Sequence, residues 1–468
     1  MVYTPPSVTV TSIANNRIIN ISEDARIPAI VGPGPAVRTI TDYPIARGSA
    51  LYDLLPTSGS TVTLTKVALY PGATASDTRW DTYYSLSGST GSLYWNVDGE
   101  AGTNLPLTGE KYYVSYTYPV PDSQYTPQLF IDSKDVQTFY GTEDNGIRVG
   151  ETTGSGSLAI GANLALENGA PAVMCVQIKG AYDASSTWTT AFNKLKKKDQ
   201  ISYLVPLASG SAGKLAAEAA AILHVNTESA PAIGHEQEAI LGASAGKSVD
   251  NIVTATTAIA NKRVIYVVPG KEVTRTTALG NVLYLDGSWA AAALSGLLTG
   301  QINNITPVTG KVISGFVIPD NQYDPYEMNH MANNGACVIH ARSGIAKVRH
   351  AITTDPTNAE TSEISVVAAD DLVRRITRTK LTQRFIGKGI IIDDATIAAV
   401  KSTLASIWGA LRRQHLIQNY GTKVDPTTGE VPISAERDSA DPTKINVTGA
   451  VQFLYPLNYV TVEFFVYV

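Results

Sequence analysis

Three stretches of the 468-residue chain hold residue types that could do chemistry. Gly242-Ala-Ser-Ala-Gly246 fits the G-x-S-x-G pattern in which a strand-to-helix turn exposes a serine nucleophile to His and Asp partners. Ala239-Ile-Leu241 before it is only a stub of a strand, so the pattern is expected to be a chance match in a chain rich in Gly, Ala and Ser. The same stretch runs into Gly246-Lys247-Ser248, the end of a phosphate-binding loop. The glycine that should open that loop is Leu241, which removes part of the backbone cradle. Asp370-Asp371 and Asp393-Asp394 are adjacent pairs, expected at helix starts or on the surface. Neighbours at i,i+1 do not share a helix face, so neither pair forms an acid/base couple. The six histidines (224, 235, 330, 340, 350 and 415) show no metal-ligand spacing. No catalytic residue, no cofactor site and no metal site is expected, and the chain is not expected to be an enzyme.

Composition narrows the class. A hydrophobic share of 44% with 16% charged residues is globular, and a net charge of −5 gives no overall attraction to nucleic acid or an anionic membrane. No basic residue precedes an apolar stretch at the N-terminus, and no apolar run nears the roughly 18 residues of a membrane span. Neither a signal peptide nor membrane insertion is expected. Cys175 and Cys337 sit in apolar strand-like runs and are expected as buried free thiols.

The elements fall into distinct zones. Between about 55 and 150, short alternating runs (Thr61–Val67, Ser92–Val97, Tyr112–Tyr118) are broken by Pro71-Gly72, Ser87-Gly88 and Asp98-Gly99, the pattern of a small all-β module. From about 155 the pattern becomes βα. Ala172–Ile178, Ile201–Leu207, Arg263–Val268, Val312–Ile318 and Cys337–His340 read as buried strands. Ala212–His224, Val249–Ala260 and Trp289–Leu298 read as helices between them. Two longer helices are expected at 360–386 and 395–416. In the second, Ile397, Val400, Leu404, Ile407 and Leu411 form one apolar stripe, with Lys401, Arg412 and Arg413 off it. Residues 341–413 hold 12 Lys/Arg against 7 Asp/Glu, a net of +5 on an acidic chain, which points to an acidic partner.

Both ends read as extended strands. Ser7–Ile13 alternates after Pro5-Pro6, and Asn458–Val468 alternates up to the last residue, with Val460, Val462, Phe464, Val466 and Val468 on one face. Burying those five side chains would contribute on the order of 7–15 kcal/mol as an upper figure. Left unpaired, such a strand is an aggregation hazard, so it needs a partner. Two β arms on one protomer suit strand donation between copies, and repeated head-to-tail contacts of that kind build open helical arrays.

At this point the chain resembles the contractile bacteriophage tail sheath proteins. Pro6-Ser-Val-Thr-Val10 is similar to that family's Pro-Gly-Val opening, with Ser7 in place of Gly. Asn261-Lys-Arg-Val-Ile-Tyr-Val-Val-Pro-Gly270 resembles its Asn-x-Arg-Val-x-x-Val-x-Pro-Gly strand and is followed by the small-residue helix Trp289–Leu298. Asn333-Asn-Gly-Ala-Cys-Val-Ile339 resembles the family's Leu-Asn-x-x-Gly-Val-Asn segment loosely, lacking the Leu and carrying Ala336 in place of Val. The β module around 61–118 looks like the outward-facing inserted domain, and Asp393–His415 with the terminal strand looks like the C-terminal domain.

The resemblance implies a multi-domain α+β and α/β chain: a mixed sheet covered by helices, an inserted all-β domain, and extended arms at both termini. Its divisions would be an N-terminal arm (1–25), the start of the core (26–54), the β-rich outer domain (55–150), the α/β domain (151–350), a helical C-terminal part (351–445) and a donated strand arm (446–468). It further implies a helical homo-oligomer around a tail tube protein, with baseplate and tail terminator proteins as further partners. The location implied is the virion tail, assembled in the host cytoplasm. Val8, Val10, Ile13, Val460, Val462, Phe464 and Val466 would pair between subunits, and Lys401, Arg412 and Arg413 would touch the inner tube. Two rivals are a cytoplasmic α/β hydrolase-like enzyme with an appended β module, which would need Ser244 as nucleophile, and an outer-membrane β protein.

Overall fold

The computed structural model describes residues 26–48, 52–55, 62–68, 70–71, 84–87, 92–95, 107–143, 157–196, 198–208, 211–301, 305–421, 424–425, 429–430 and 432–457. The two expected terminal strands, with Val8, Val10, Ile13, Val460, Val462, Phe464 and Val466, lie outside the described residues.

Apolar runs without polar alternation mark strands covered on both faces, and these runs assemble into one eight-stranded sheet. Its order is Ile345–Val348, Ala336–Arg342, Val264–Val268, Glu238–Gly242, Ile201–Pro206, Ile27–Gly32, Val173–Gln177, Gln128–Phe130. The six inner strands are parallel, and the short strand at each edge is antiparallel. On one face the helices Ser157–Glu167 and Gly287–Thr299 enclose a core around Ile30, Leu207, Val267 and Trp289. On the other, Ser185–Asn193, Ser211–Glu228, Val249–Ile259 and Pro325–Asn333 enclose Ile27, Trp188, Leu204 and Tyr266. The expected mixed sheet covered by helices is therefore present.

The parallel strands follow a doubly wound order, with the first strand in the middle and the next two in sequence on either side of it. In such folds a ligand crevice opens where that order reverses, beyond the strand ends. Here Leu207 fills that place: its side chain lies against Gly32 and Gly161 so closely that a Cβ on either would meet it. Small residues serve the same economy in Gly287–Thr299, which is buried along its whole length. A Cβ on Gly296 would strike the Ala165 carbonyl of the crossing helix, so the Ala/Gly/Ser composition is what lets two helix backbones meet.

Three expectations need correction. Val312–Ile318 is not a sheet strand: it alternates buried and exposed residues and makes only single bridges, Val312 to Lys347 and Val317 to Thr274. Ile27–Gly32, missed as a strand, is central. Pro28 argues against a central strand, because it cannot donate to the ladder; the register shift between Ile27 and Pro28 absorbs it. The stub before Ser244 is a full, buried strand, Glu238–Gly242, paired in parallel on both sides.

The β-rich module comprises two antiparallel three-stranded sheets. One orders Val37–Ala46, Lys111–Pro119 and Thr63–Ala68; the other orders Tyr52–Leu54, Ser92–Trp95 and Tyr84–Ser87. Its small core includes Val67, Leu93, Tyr112, Val114 and Tyr116. Buried Asp53 accepts from the Tyr112 hydroxyl and the Gly48 amide, each at 2.8 Å, and lies 3.6 Å from the Arg47 guanidinium, which together satisfy its carboxylate.

Candidate functional site

The motif around Ser244 has the strand and the helix that a nucleophile elbow needs, yet each letter has a packing reason. Gly242 is required because the Gly287 and Ser288 backbones come within 2.3 Å of where its Cβ would lie. The amide of Gly287 donates to the Ala243 carbonyl at 2.9 Å, stitching the loop to the next helix. Gly246 turns the chain at φ 72°, and Ser248 is the N-cap of Val249–Ile259, accepting from the Asn251 amide. Among the described residues, no His or Asp side chain hydrogen-bonds Ser244. Cys175 and Cys337 are buried free thiols, as expected; burial pushes both up, Cys337 to about 12. Among the described residues, no group of three or more His, Cys, Asp or Glu side chains is placed to hold a metal ion, and no helix is long and apolar enough to cross a membrane.

The C-terminal lobe is built on two antiparallel helices, Ile364–Phe385 and Asp394–Arg413, each within a few residues of its expected bounds. The first buries Ile364, Val366 and Val367 in its opening turns, then docks on the core sheet through charge. Asp371, expected on the surface, is buried and takes a two-pronged bond from the Arg263 guanidinium, 2.9 Å on each prong. Asp370 pairs with Arg374 and Lys262, and Arg378 pairs with Glu236. Glu238 stands beside this group with one oxygen unpartnered, and burial, together with the nearby Asp371 charge, pushes its carboxyl well above the usual range. Much of the local positive charge thus faces inward and joins the helix to the sheet.

The second helix starts at Asp393, whose side chain caps the Thr396 amide at 2.7 Å. The expected stripe faces inward: Val400, Leu404 and Leu411 are buried, and Ile397 and Ile407 half-buried. Sequence reasoning missed Trp408, which completes that face; its indole donates to Thr377 at 3.1 Å and its ring meets Tyr420 edge-on. Lys401, Arg412 and Arg413 are exposed, and none pairs with a described carboxylate. Eleven residues are three turns, so Lys401 and Arg412 share one face about 16 Å apart.

Beyond the helices, Ser434–Arg437 and Ile445–Thr448 form a hairpin. Asp438 organises its turn, accepting from the amides of Ala440 and Asp441, from Lys444 and from Asn446. Those bonds hold its carboxyl well below the usual range. Among the described residues, neither strand pairs with a third. Between hairpin and helices runs a groove of about 570 Å³ with an apolar lining that includes Leu381, Phe385, Ile386, Ile390, Val400 and Val447. Ile386 is 69% exposed and the adjoining Ile391 81%. This arrangement can accept an extended apolar segment: a strand edge supplies backbone groups, and the groove takes alternate side chains.

Residues 357–467 match the phage tail sheath C-terminal domain. A tail sheath protein of Mycobacterium phage Bxz1 is 28% identical over 391 residues, covering 78% of this chain, and the chain spans 62% of that relative's length. The helical sheath of the anti-feeding prophage in its contracted state has a similar fold, with TM-score 0.55 at 12% identity over 74% of this chain and 90% of that one. The contracted PVC sheath complex of an extracellular contractile injection system gives TM-score 0.52 at 13% identity, over 72% and 86%. Residues 357–467 thus resemble a phage tail sheath C-terminal domain, and most of the chain is similar in sequence to a phage tail sheath protein.

Proposed function

We propose that the chain is the structural, non-enzymatic subunit of a contractile tail sheath. Copies polymerise helically around an inner tube, exchange terminal strands, and contract to drive the tube through a target envelope. The observation that carries this is the C-terminal lobe: a hairpin that pairs with no third strand among the described residues, beside an exposed apolar groove, within the segment that matches the sheath domain. The domain divisions given above from the sequence are part of the proposal, with the β-rich module taken as about 37–119, since Val37–Ala46 and Tyr52–Leu54 pair within it and Gln128–Phe130 pairs with the core sheet. So are pairing through Val8, Val10, Ile13, Val460, Val462, Phe464 and Val466, baseplate and terminator partners, and assembly in the host cytoplasm into the virion tail. Negative-stain electron microscopy of the purified chain should show hollow tubes or striated cylinders; compact monomers at high concentration would overturn it.

Lys401, Arg412 and Arg413 are proposed as the contact to an acidic inner tube, because they are exposed and unneutralised on a helix whose other face is buried. Reversing charge in Lys401→Glu/Arg412→Glu should weaken co-assembly with the tube protein while self-assembly persists. Co-assembly unchanged at moderate salt counts against that role.

A further inference from the structure

The far edge of the sheet carries a second basic site, independent of the helical lobe. In the edge hairpin, His340 lies directly opposite Lys347. Side chains alternate along a strand, so Arg342 shares the His340 face and Arg349 the Lys347 face. Three of these four residues, His340, Arg342 and Arg349, line a cavity of about 320 Å³. It opens beyond the carboxyl ends of two parallel strands, Val264–Val268 and Ala336–Arg342. Tyr323 forms part of the wall, and the Lys271 ammonium lies 5.2 Å from its ring centre.

No carboxylate lines this cavity. The nearby acids are committed elsewhere. Asp324 and Glu327 cap their own helix reciprocally, and Asp320 accepts from the Gly344 amide. Arg342 is exposed and pairs with no described carboxylate, while Arg349 donates to the neutral Asn329 side chain. His340 Nδ1 is buried with no hydrogen-bond partner.

We propose that this cavity binds a small oxyanion, a phosphate or a carboxylate, with Arg342 and Arg349 supplying charge and donors. Burial, then the charges of Arg349, Lys347 and Arg342, lower the His340 pKa.

Isothermal titration of inorganic phosphate, and separately of succinate, into the full-length protein at low ionic strength tests this. Saturable binding of phosphate assigns the site to phosphoryl groups, and saturable binding of succinate assigns it to carboxylates. Arg342→Gln, at an exposed position, should weaken that binding about tenfold or more, the loss expected for one charge-assisted hydrogen bond. Arg349→Lys is the second variant, keeping charge while losing the planar fork. Lys401→Gln/Arg412→Gln should leave binding intact. The proposal is overturned if neither anion binds saturably, if binding survives Arg342→Gln, or if the distant Lys401 and Arg412 substitutions abolish it equally.

Discussion

The core sheet and the C-terminal lobe treat their open edges in opposite ways. The core ends in Gln128–Phe130 on one side and Ile345–Val348 on the other, strands of three and four residues that run antiparallel to their neighbours. Short edges offer little template for another chain. The lobe keeps a hairpin without a third described strand and surrounds it with exposed Ile386, Ile390 and Ile391. Among the described residues, the core ends in short edges, and the lobe keeps a hairpin that pairs with no third strand. The difference separates what holds the protomer together from what is available to neighbours.

The sharpest way to break that contrast is to cut the joint between the two regions. Asp371→Ala would leave Arg263 buried without its carboxylate, and breaking such a pair by removing one partner costs about 3–5 kcal/mol. Urea unfolding should show that loss. Replacing both partners in Arg263→Met/Asp371→Leu should restore part of it, since Arg263 no longer stands without its carboxylate, while Arg375 and Glu238 remain beside the site. A loss below about 1 kcal/mol for Asp371→Ala would mean the lobe is held by its apolar contacts alone.

How far the sequence discloses these regions differs in the same way. The parallel strands announce themselves as unbroken apolar runs, and the helix Asp394–Arg413 shows its stripe from Ile397 to Leu411. What stays hidden depends on distant contacts. Pro28 disguises the central strand, Asp371 looks like a surface acid until Arg263 is brought to it from 108 positions away, and Val312–Ile318 has the composition of a strand but makes only isolated bridges. The basic excess of residues 341–413 was legible as a total. Its division was not: Arg374 pairs with Asp370 on its own helix and Arg378 with Glu236 beside the core sheet, while Lys401, Arg412 and Arg413 pair with no described carboxylate. The groove was not legible at all, because its walls come from two helices and a hairpin some sixty residues apart.

A smaller effect distinguishes the core from the lobe by pH. His224 is buried on the helix Ser211–Glu228 with Nε2 unpartnered, and burial lowers its pKa to about 4. A depressed histidine disfavours the proton when folded. Its contribution to stability is therefore complete above pH 6.5 and is lost as pH falls from 6.5 through 4. The loss should approach roughly 3 kcal/mol near pH 4. His224→Gln should flatten the melting profile over that window. A profile as steep as the parent's would assign the acid sensitivity to another group.

The smallest expected change in stability is at the groove, and it is the most telling about the contrast. Ile386→Asp/Ile390→Asp removes apolar surface that the protomer already exposes, so the unfolding free energy should move by no more than about 0.5 kcal/mol. Assembly should respond differently. If the groove receives a segment from another copy, a buried, unpaired aspartate there opposes docking, and sedimentation should show a shift from large particles to protomers at unchanged melting temperature. The same substitution within the core sheet, at Ile240 for instance, would unfold the protein, because that side chain is fully buried. Equal self-association of parent and groove variant would place the subunit contact elsewhere on the lobe, with the open hairpin edge as the next surface to block.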